Sequence, residues 1–406
     1  MTPSTELSQQ LEGFLQRQAS RENSRRRSMW RELAQTGRDQ FRPTPLFDSS
    51  WKMGALPFTV DVQNPTWAKL LGFNLRAFYT DAQTFLLNYF KIMNYRFDNF
   101  ADDTFLEKSV PLWGTSAMEG SLFGMQYRLS AETDPWLEHS PLIRDEADVQ
   151  RFLQHPPAFR TAGLMPTLIQ LYEECVTLLP NDFSVHFPVW NRSSFGIATY
   201  LRGYENFLVD TLSDPDFALS QLEMITAARA KWFEDLSRYL GAPIPKGSLY
   251  NDEMNCPTIS PDFYEQSVLP LEQQLSAFHK GIYYWHSCGN VTRLLPSIAK
   301  IPDLELFNCG PWTDVFKAAQ TFRGKCPIEV CMNPQVDILE GTPQSMREKI
   351  RSVILCCAQA DIEGFFMKIS ALNMQISLTH TISQVENWVQ AMREIRDVLP
   401  SLLQNR

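Results

Sequence analysis

The sequence has no continuous run of about eighteen apolar residues, the length that a membrane-spanning helix needs. Its first 33 residues contain no short apolar segment of the kind that a secretory signal peptide carries. We therefore expect a cytoplasmic protein that neither spans nor binds a membrane.

An excess of positive charge is also missing. Lys and Arg together number 37 against 46 Asp and Glu, a net charge of −9, which argues against nucleic acid as a partner. No G-x-G-x-x-G follows a candidate strand and no G-x-x-x-x-G-K-[ST] occurs, so neither a dinucleotide-binding fold nor a nucleoside triphosphatase is indicated. A small-molecule partner fits this composition.

The chain has eight cysteines but no spacing that indicates a disulfide framework. In a cytosolic protein of this size, cysteines are more often free thiols or metal ligands. Cys175, Cys356 and Cys357 lie in helical patterns and are expected to pack in the core. Cys326 in "GKCPIEV" precedes a candidate strand and is likewise expected to be structural, so Cys288, Cys309 and Cys331 are the ones to consider as ligands.

Short apolar segments alternate with longer helical patterns along most of the chain. The candidate strands are 44–47, 102–108, 183–190, 247–252, 282–287, 304–309, 328–332 and 364–370. Strand and helix in alternation are typical of βαβ units and a parallel sheet. We expect an α/β fold, a (β/α)8 TIM barrel over residues 36–406, preceded by an N-terminal helical arm, 1–35. The segment from about 109 to 182 exceeds one crossover and predicts an insertion after the second strand.

Polar and metal-binding side chains recur where these candidate strands end. In such barrels the active site forms at the carboxyl ends of the strands. The side chains at these ends are Trp190-Asn191-Arg192, Asn251-Asp252-Glu253, His286-Ser287-Cys288, Asn308-Cys309 and Cys331-Met332-Asn333. The sequence therefore places the candidate site at this end of the barrel.

His286 and Cys288 stand two residues apart at the end of the apolar stretch "IYYWHS". Residues i and i+2 of a strand point to the same face, so both side chains can face one ion or substrate. Zinc binds imidazole nitrogen together with thiolate sulfur. A third ligand could come from Cys331, Cys309 or the Asp252-Glu253 pair. The alternative is a structural histidine beside cysteines that fill apolar space.

Asp252 and Glu253 are candidates for a general acid and base, because neighbouring carboxylates near apolar walls can have separated pKa values. Adjacent strand residues face opposite ways, so at most one is expected to point into the site.

Two long segments resemble a known family: "SLYNDEMNCPTISPDFYEQSVLPLEQQL" and "YYWHSCGNVTRLLPSIAKIPDLELF" are similar to the uroporphyrinogen decarboxylase-like superfamily. Within it they look closest to cobalamin-dependent methyltransferases. "FGIATYLRGYENFLVDTLSDPDFALSQL", "NPQVDILEGTP" and "QVENWVQAM" extend the resemblance over about residues 100–395. It implies a (β/α)8 barrel in which a His-x-Cys pair and a later cysteine hold zinc, which activates a thiol. The pair corresponds to His286 and Cys288.

The sequence departs from that pattern at two places. The later cysteine normally follows the last strand, and "KISALNMQISLTH" contains none. Cys331, one strand earlier, is the expected substitute, with Asp252, Glu253 or the absence of a metal as alternatives. The arginine-rich clamp of the decarboxylases is also missing from "TPLFDSSWKMGALP", so tetrapyrrole decarboxylation is not expected.

The resemblance implies a methyltransferase with zinc held by His286, Cys288 and Cys331, and with Asp252, Glu253 and His286 in catalysis. The methyl group would pass to or from a corrinoid. Because no D-x-H-x-x-G motif occurs, that corrinoid must belong to a separate carrier protein. The resemblance also favours a homodimer.

A substrate pocket is expected at the same end of the barrel. Its candidate residues are Trp190, Asn191, Arg192, Tyr250 and Trp312. A second hypothesis is a lyase acting on a carboxylated small molecule, with Arg192, Arg202 or Arg293 binding the carboxylate. A third is a non-catalytic protein that kept the fold.

Overall fold

A curled parallel sheet forms the centre of the molecule. The computed structural model describes residues 2–31, 43–115, 117–138 and 140–404. Its strands are β1 (Phe58–Val62), β2 (Ser109–Pro111), β3 (Tyr127–Arg128), β4 (Trp136–Leu137), β5 (Ser184–His186), β6 (Gly247–Tyr250), β7 (Ile282–His286), β8 (Phe307–Cys309), β9 (Ile328–Met332) and β10 (Phe365–Leu372). Six of them form one sheet in the order β1-β10-β9-β8-β7-β6, and all of its pairs are parallel.

Helices follow most of the strands. The α-helices are α1 (Thr5–Gln18), α2 (Arg21–Arg27), α3 (Asn64–Leu71), α4 (Leu75–Thr80), α5 (Ala82–Tyr95), α6 (Met118–Leu122), α7 (Glu146–Gln154), α8 (Met165–Leu178), α9 (Ser194–Arg202), α10 (Tyr204–Ser213), α11 (Pro215–Leu240), α12 (Pro261–Phe263), α13 (Leu269–His279), α14 (Leu295–Ile298), α15 (Val315–Phe322), α16 (Pro343–Ala360), α17 (Leu378–Asp397) and α18 (Leu399–Gln404). A 3-10 helix covers Ser50–Met53, and π-helical turns cover Arg96–Phe100, Tyr264–Val268 and Pro334–Leu339. Among the described helices, none is long and apolar enough to cross a bilayer.

The predicted α/β class and parallel sheet are confirmed. The sheet has six strands, however, and is not the closed eight-stranded barrel that the sequence predicts. β2 and β5 form a separate parallel pair. Beside β1, the backbone N–H groups of Phe58 and Val60 donate to the carboxylates of Asp103 and Asp102, at 3.1 and 2.7 Å. Side chains thus occupy the acceptor positions that a continuous ladder would give to backbone carbonyls.

The other edge of the sheet has a short connection to the chain after β5. Tyr250 N–H donates to the carbonyl of Asn191 at 3.0 Å, and Ser193 N–H donates to the carbonyl of Tyr250 at 2.9 Å. These two bonds hold the segment after β5 against the end of β6.

The first predicted strand, 44–47, is wrong. Pro45 forms only an isolated bridge with Trp30, and proline has no N–H to donate to a ladder. The first strand along the chain is β1, and the second, β2 of the separate pair, lies at Ser109–Pro111 rather than 102–108. The other six candidate segments each contain or overlap an observed strand.

The segment between β2 and β5, where an insertion is expected, contains several elements. They are α6, the antiparallel hairpin of β3 and β4, α7 and α8. Only α8 is needed as the crossover helix between the parallel strands β2 and β5.

The N-terminal arm packs on the rest of the molecule. α1 contacts α5 through the buried ring of Phe14, whose centroid lies 5.0 Å from that of Phe90. Trp30 belongs to a small apolar cluster with Phe366 of β10, and its indole N–H donates to the carbonyl of Asp103 at 2.9 Å. Residues 32–35 of the predicted arm lie outside the described residues.

Candidate metal centre and active site

Two adjacent strands bring the candidate ligands together. Tyr250 of β6 pairs with His286 of β7, and the N–H of Asn251 donates to the carbonyl of His286 at 2.7 Å. The ladder therefore continues one residue beyond β6, and Asp252 follows directly. Cys288 lies two residues beyond β7, so the segments that follow these two strands lie side by side.

Asp252, His286 and Cys288 converge on one point. His286 Nε2 lies 2.8 Å from Asp252 Oδ1 and 3.3 Å from Cys288 Sγ. One ligand atom from each of the three residues lies within 4.8 Å of the others. His286 is buried, whereas Cys288 is exposed, so a small molecule can reach the group from solvent.

The donor set fits zinc. Zinc accepts imidazole nitrogen, thiolate sulfur and carboxylate oxygen, and three protein ligands leave a fourth position for a substrate or water. An Asp-His-Cys set therefore matches a catalytic rather than a structural zinc site.

The carboxyl group of Asp252 is held in its ionised form. Burial raises its pKa, but His286 and Arg192 outweigh that effect and lower the pKa below its ordinary value. Arg192 Nη1 lies 3.5 Å from Asp252 Oδ2. An ionised carboxylate is the form that binds a cation.

Glu253 lies in a different environment although it is the next residue. Burial raises the pKa of its carboxyl group, and repulsion from Asp252 raises it further against the opposing attraction of Arg192. Its Oε1 contacts Arg192 Nη1. A Cβ at Gly196 would lie 2.6 Å from Glu253 Oε2, so the glycine in α9 allows this approach. Glu253 is the better proton carrier of the two carboxyl groups.

The backbone of Arg192 is fixed by buried groups. Its carbonyl accepts hydrogen bonds from Trp190 Nε1 at 2.9 Å and from Arg229 Nη1 at 3.0 Å. Its N–H donates to Glu119 Oε1 at 3.2 Å, and the N–H of Asn191 donates to the same oxygen at 3.0 Å. The segment that carries Arg192 is therefore rigidly held.

The five predicted substrate-binding residues occupy different positions. Trp190 is fully buried and packs on Trp232, at 6.3 Å between ring centroids, away from the metal group. The Asn191 side chain accepts a hydrogen bond from Ser248 Oγ at 2.6 Å. The structure thus gives Trp190 and Asn191 contacts that support the loop.

Arg192 and Tyr250 lie beside the metal group, and Trp312 lies on the surface. The Tyr250 ring centroid is 5.2 Å from that of His286. Trp312 is 61% exposed and lines a surface pocket of about 520 Å³ together with Cys256, Asn290 and Arg293. This pocket borders the loop that carries Cys288.

Cys331, the predicted third ligand, does not belong to the converging group. It lies on β9, and its Sγ accepts a hydrogen bond from Asn308 Nδ2 at 3.0 Å. Burial raises the pKa of its thiol to about 12. Burial also raises the pKa of Cys309, whose Sγ lies 3.8 Å from the carbonyl of Thr313.

One supporting residue of the site was missed in the sequence. Glu272 of α13 accepts hydrogen bonds from Asn251 Nδ2 at 2.8 Å, Tyr264 Oη at 2.5 Å and Trp285 Nε1 at 3.1 Å. It fixes Asn251, the residue before Asp252. A glutamate in a helical pattern usually indicates a solvated face, so no signal in the sequence distinguishes it.

The sequence matches no family model and no curated protein. The structure is similar to a methyltransferase from Methanosarcina mazei, with a TM-score of 0.59 over 89% of this chain and 99% of that one. The two sequences are 14% identical. At that identity the likeness establishes a shared fold.

Proposed function

We propose that this protein is a zinc-dependent methyltransferase. In this proposal, a methyl group moves between a small-molecule thiol and a corrinoid carried by a separate protein. The observation that carries the proposal is the convergence of Asp252, His286 and Cys288 at the ends of adjacent strands. Similarity to a methyltransferase from Methanosarcina mazei in fold supports it.

The proposal places this site at the mouth of a complete (β/α)8 barrel. In that arrangement β2 and β5 fill the gap between β1 and β6. Two features support it: the bonds between Asn191 and Tyr250, and the carboxylates of Asp102 and Asp103 that bind the backbone of β1.

Asp252 replaces Cys331 as the third ligand in this proposal. Asp252 is ionised and in direct contact with His286, whereas the Cys331 thiol is buried and protonated at neutral pH. Zinc bound there would lower the pKa of a substrate thiol and keep it as the nucleophilic thiolate.

The protein's own groups then have distinct tasks. Arg192 orients Asp252 and Glu253 together, because its guanidinium contacts both carboxyl groups. Glu253, with its raised pKa, accepts the proton that the thiol loses. Tyr250 packs near the His286 ring and limits the space on that side of the site.

The corrinoid carrier and a homodimer are proposed on the resemblance of the sequence. Exposed Cys288 lies at the carboxyl end of the strands, where a carrier could approach it. No corrinoid motif occurs in the given sequence, and we propose that the carrier is a second protein.

An anaerobic assay with methylcobalamin and a panel of thiols tests the proposal. We expect the wild type to form a methyl thioether, detected by mass spectrometry, and Cys288→Ala to lose at least about 100-fold of that rate. Cys175→Ala, a buried cysteine of α8, is the matched control and should retain the wild-type rate. Equal rates in Cys288→Ala and wild type would contradict the proposed site.

A lyase remains the second candidate because of Arg293. Arg192 is paired with Glu253, and Arg202 Nε lies 2.7 Å from Asp210. Arg293 lines the 520 Å³ pocket and belongs to none of the ion pairs found among the described residues. Release of CO2 from a carboxylated substrate, abolished in Arg293→Gln but kept in Cys288→Ala, would favour the lyase.

A further inference from the structure

A chain of buried polar groups lies beneath the candidate metal group. Tyr284 and His286 are two residues apart on β7, so both side chains face the same side of the sheet. Tyr284 Oη lies 3.2 Å from His286 Nδ1 and 2.6 Å from Glu329 Oε1 of β9. This chain connects the rear nitrogen of His286 to a carboxylate two strands away.

The direction of these hydrogen bonds follows from counting protons. A tyrosine hydroxyl has one proton to donate. Tyr284 donates it to Glu329, at the shorter distance of 2.6 Å. The oxygen of Tyr284 is then an acceptor toward His286, which must donate from Nδ1–H.

Glu329 is itself held as an acceptor. Asn308 Nδ2 donates to the same Oε1 at 2.7 Å, and Lys368 Nζ lies 3.8 Å from Oε2. Glu329 and Lys368 are both almost fully buried. The positive charge of Lys368 offsets the cost of burying the Glu329 carboxylate. Glu329 can therefore accept the hydrogen bond from Tyr284.

We propose that Tyr284 and Glu329 are positioning residues that keep a proton on His286 Nδ1, so that Nε2, which faces Asp252 and Cys288, is the nitrogen available to bind the metal. This inference rests on the proposed metal site. A ligating histidine needs the nitrogen that faces the metal to be free of a proton. By accepting from Nδ1–H, Tyr284 makes Nε2 the nitrogen that gives up its proton when zinc binds, and this contact also holds the plane of the ring.

Zinc affinity is the first measurement. We expect Tyr284→Phe to weaken zinc binding about 10- to 100-fold in competition with a chromophoric chelator, because Nδ1–H loses its acceptor. Tyr283→Phe removes the hydroxyl of the preceding buried tyrosine and should keep the wild-type affinity. Equal affinities in Tyr284→Phe and wild type would overturn the inference.

Glu329→Gln tests whether Glu329 acts on His286 through the Tyr284 hydroxyl or independently of it. We expect it to weaken zinc binding in the same direction but less, because a glutamine oxygen still accepts from Tyr284. The double variant Tyr284→Phe/Glu329→Gln should bind zinc no more weakly than Tyr284→Phe, because Glu329 acts on His286 only through the hydroxyl. Additive losses would overturn the inference.

The position of the proton can be observed directly. With ¹⁵N-labelled histidine, and His286→Gln for assignment, we expect wild-type His286 to carry a proton on Nδ1 with and without zinc. A wild-type protein that binds no zinc would sink the proposed function, while an Nδ1 proton would still support the hydrogen-bond direction. His286 protonated on Nε2 alone would overturn the inference.

Discussion

At the scale of single residues, Asp252 and Glu253 show what a sequence can and cannot predict. Strand alternation predicts that at most one of the two carboxyl groups points into the site. Residues 252 and 253 lie in a turn after β6, however, and both carboxyl groups contact Arg192, while Asp252 is the one in contact with His286. Their pKa values move in opposite directions because Asp252 has His286 and Arg192 to offset its burial, while burial dominates for Glu253. Those neighbours in space are not visible in the sequence.

The choice of a third ligand illustrates a second limit. His286 and Cys288 can be paired from their spacing alone, whereas Cys331 is predicted from its residue type, its position at the end of a candidate strand and the family resemblance. β8 separates β9 from β7, so the backbones of β7 and β9 lie about 10 Å apart. β6 is adjacent to β7, and strand order therefore favours Asp252. The role of Cys331 in metal binding stays a prediction.

Acid stability depends on His279, the last residue of α13. Its Nδ1 lies 2.8 Å from the carbonyl of Pro245, and burial lowers its pKa from 6.5 to about 3. The folded protein thus disfavours the charged ring more than the unfolded chain does. Neutral His279 therefore costs the folded state nothing above pH 6.5, and the free energy of unfolding decreases by about 1.4 kcal/mol per pH unit as the pH falls from there toward 3.

We expect the wild type to lose about 2 kcal/mol more stability than His279→Asn between pH 6.5 and about pH 5. Urea unfolding at each pH measures the difference, because other titrating groups are common to both proteins. His155→Asn, at an exposed position, should keep the wild-type pH dependence. The same slope in wild type and His279→Asn would contradict the assignment.

At the scale of elements, six of the eight candidate strands overlap observed ones, and the first two are misplaced. The segment 44–47 is a short apolar run, whereas β1 reads "FTVDV" and alternates apolar and polar residues. Asp61 of β1 forms an ion pair with buried Lys368 of β10 at 3.2 Å. A polar residue of β1 is thus paired with a side chain of the neighbouring strand. A search for continuous apolar runs misses such a strand.

The arginine-rich clamp of the decarboxylases is expected just after the first strand, and that strand is β1 rather than 44–47. The segment 44–57 precedes β1, and the residues that follow β1 are 63–74. That segment, "QNPTWAKLLGFN", also contains no arginine. The expectation that this protein does not decarboxylate a tetrapyrrole therefore keeps its basis.

The glycine in "HSCGN", Gly289, lies where the loops after β6 and β7 approach each other closely. A Cβ at Gly289 would lie 2.3 Å from the carbonyl oxygen of Met254 and 3.0 Å from Asn255 Cβ. The loops after β6 and β7 can approach each other only because residue 289 has no side chain. This contact holds Asp252 near Cys288.

We expect Gly289→Ala to separate the two loops and to weaken zinc binding at least about 10-fold, with loss of stability of about 1–3 kcal/mol. Chelator competition and urea unfolding measure the two effects. Gly13→Ala in α1 is the control, because a Cβ there would lie 3.0 Å from the flexible end of Arg17 and in ordinary contact with Asn94 Nδ2 at 3.6 Å. Wild-type zinc affinity in Gly289→Ala would contradict the role of this contact.

At the scale of the whole molecule, the alternation of strands and helices predicts the parallel sheet but not the six strands at which it stops. Beside β1, the carboxylates of Asp102 and Asp103 accept hydrogen bonds from the backbone, a contact that no periodicity reveals. The arm was predicted as a polar helix, yet it buries Leu7, Phe14 and Trp30. Few apolar positions in a polar segment are enough to anchor it.

We expect Trp30→Ala to lower the free energy of unfolding by about 3–5 kcal/mol, because it removes a buried indole from the cluster with Phe366. Trp136→Ala, at a 45% exposed position of β4, should cost less. Urea unfolding compares the two variants. A loss below 1 kcal/mol in Trp30→Ala would show that the arm contributes little to the fold.

The metal content of the purified protein tests the central claim most directly. Elemental analysis after zinc-supplemented expression should find about one zinc per chain in the wild type and in Cys331→Ala. It should find little in Asp252→Asn and Cys288→Ala, whose side chains belong to the converging group. A zinc-free wild type, or zinc lost in Cys331→Ala and kept in Asp252→Asn, would contradict the account.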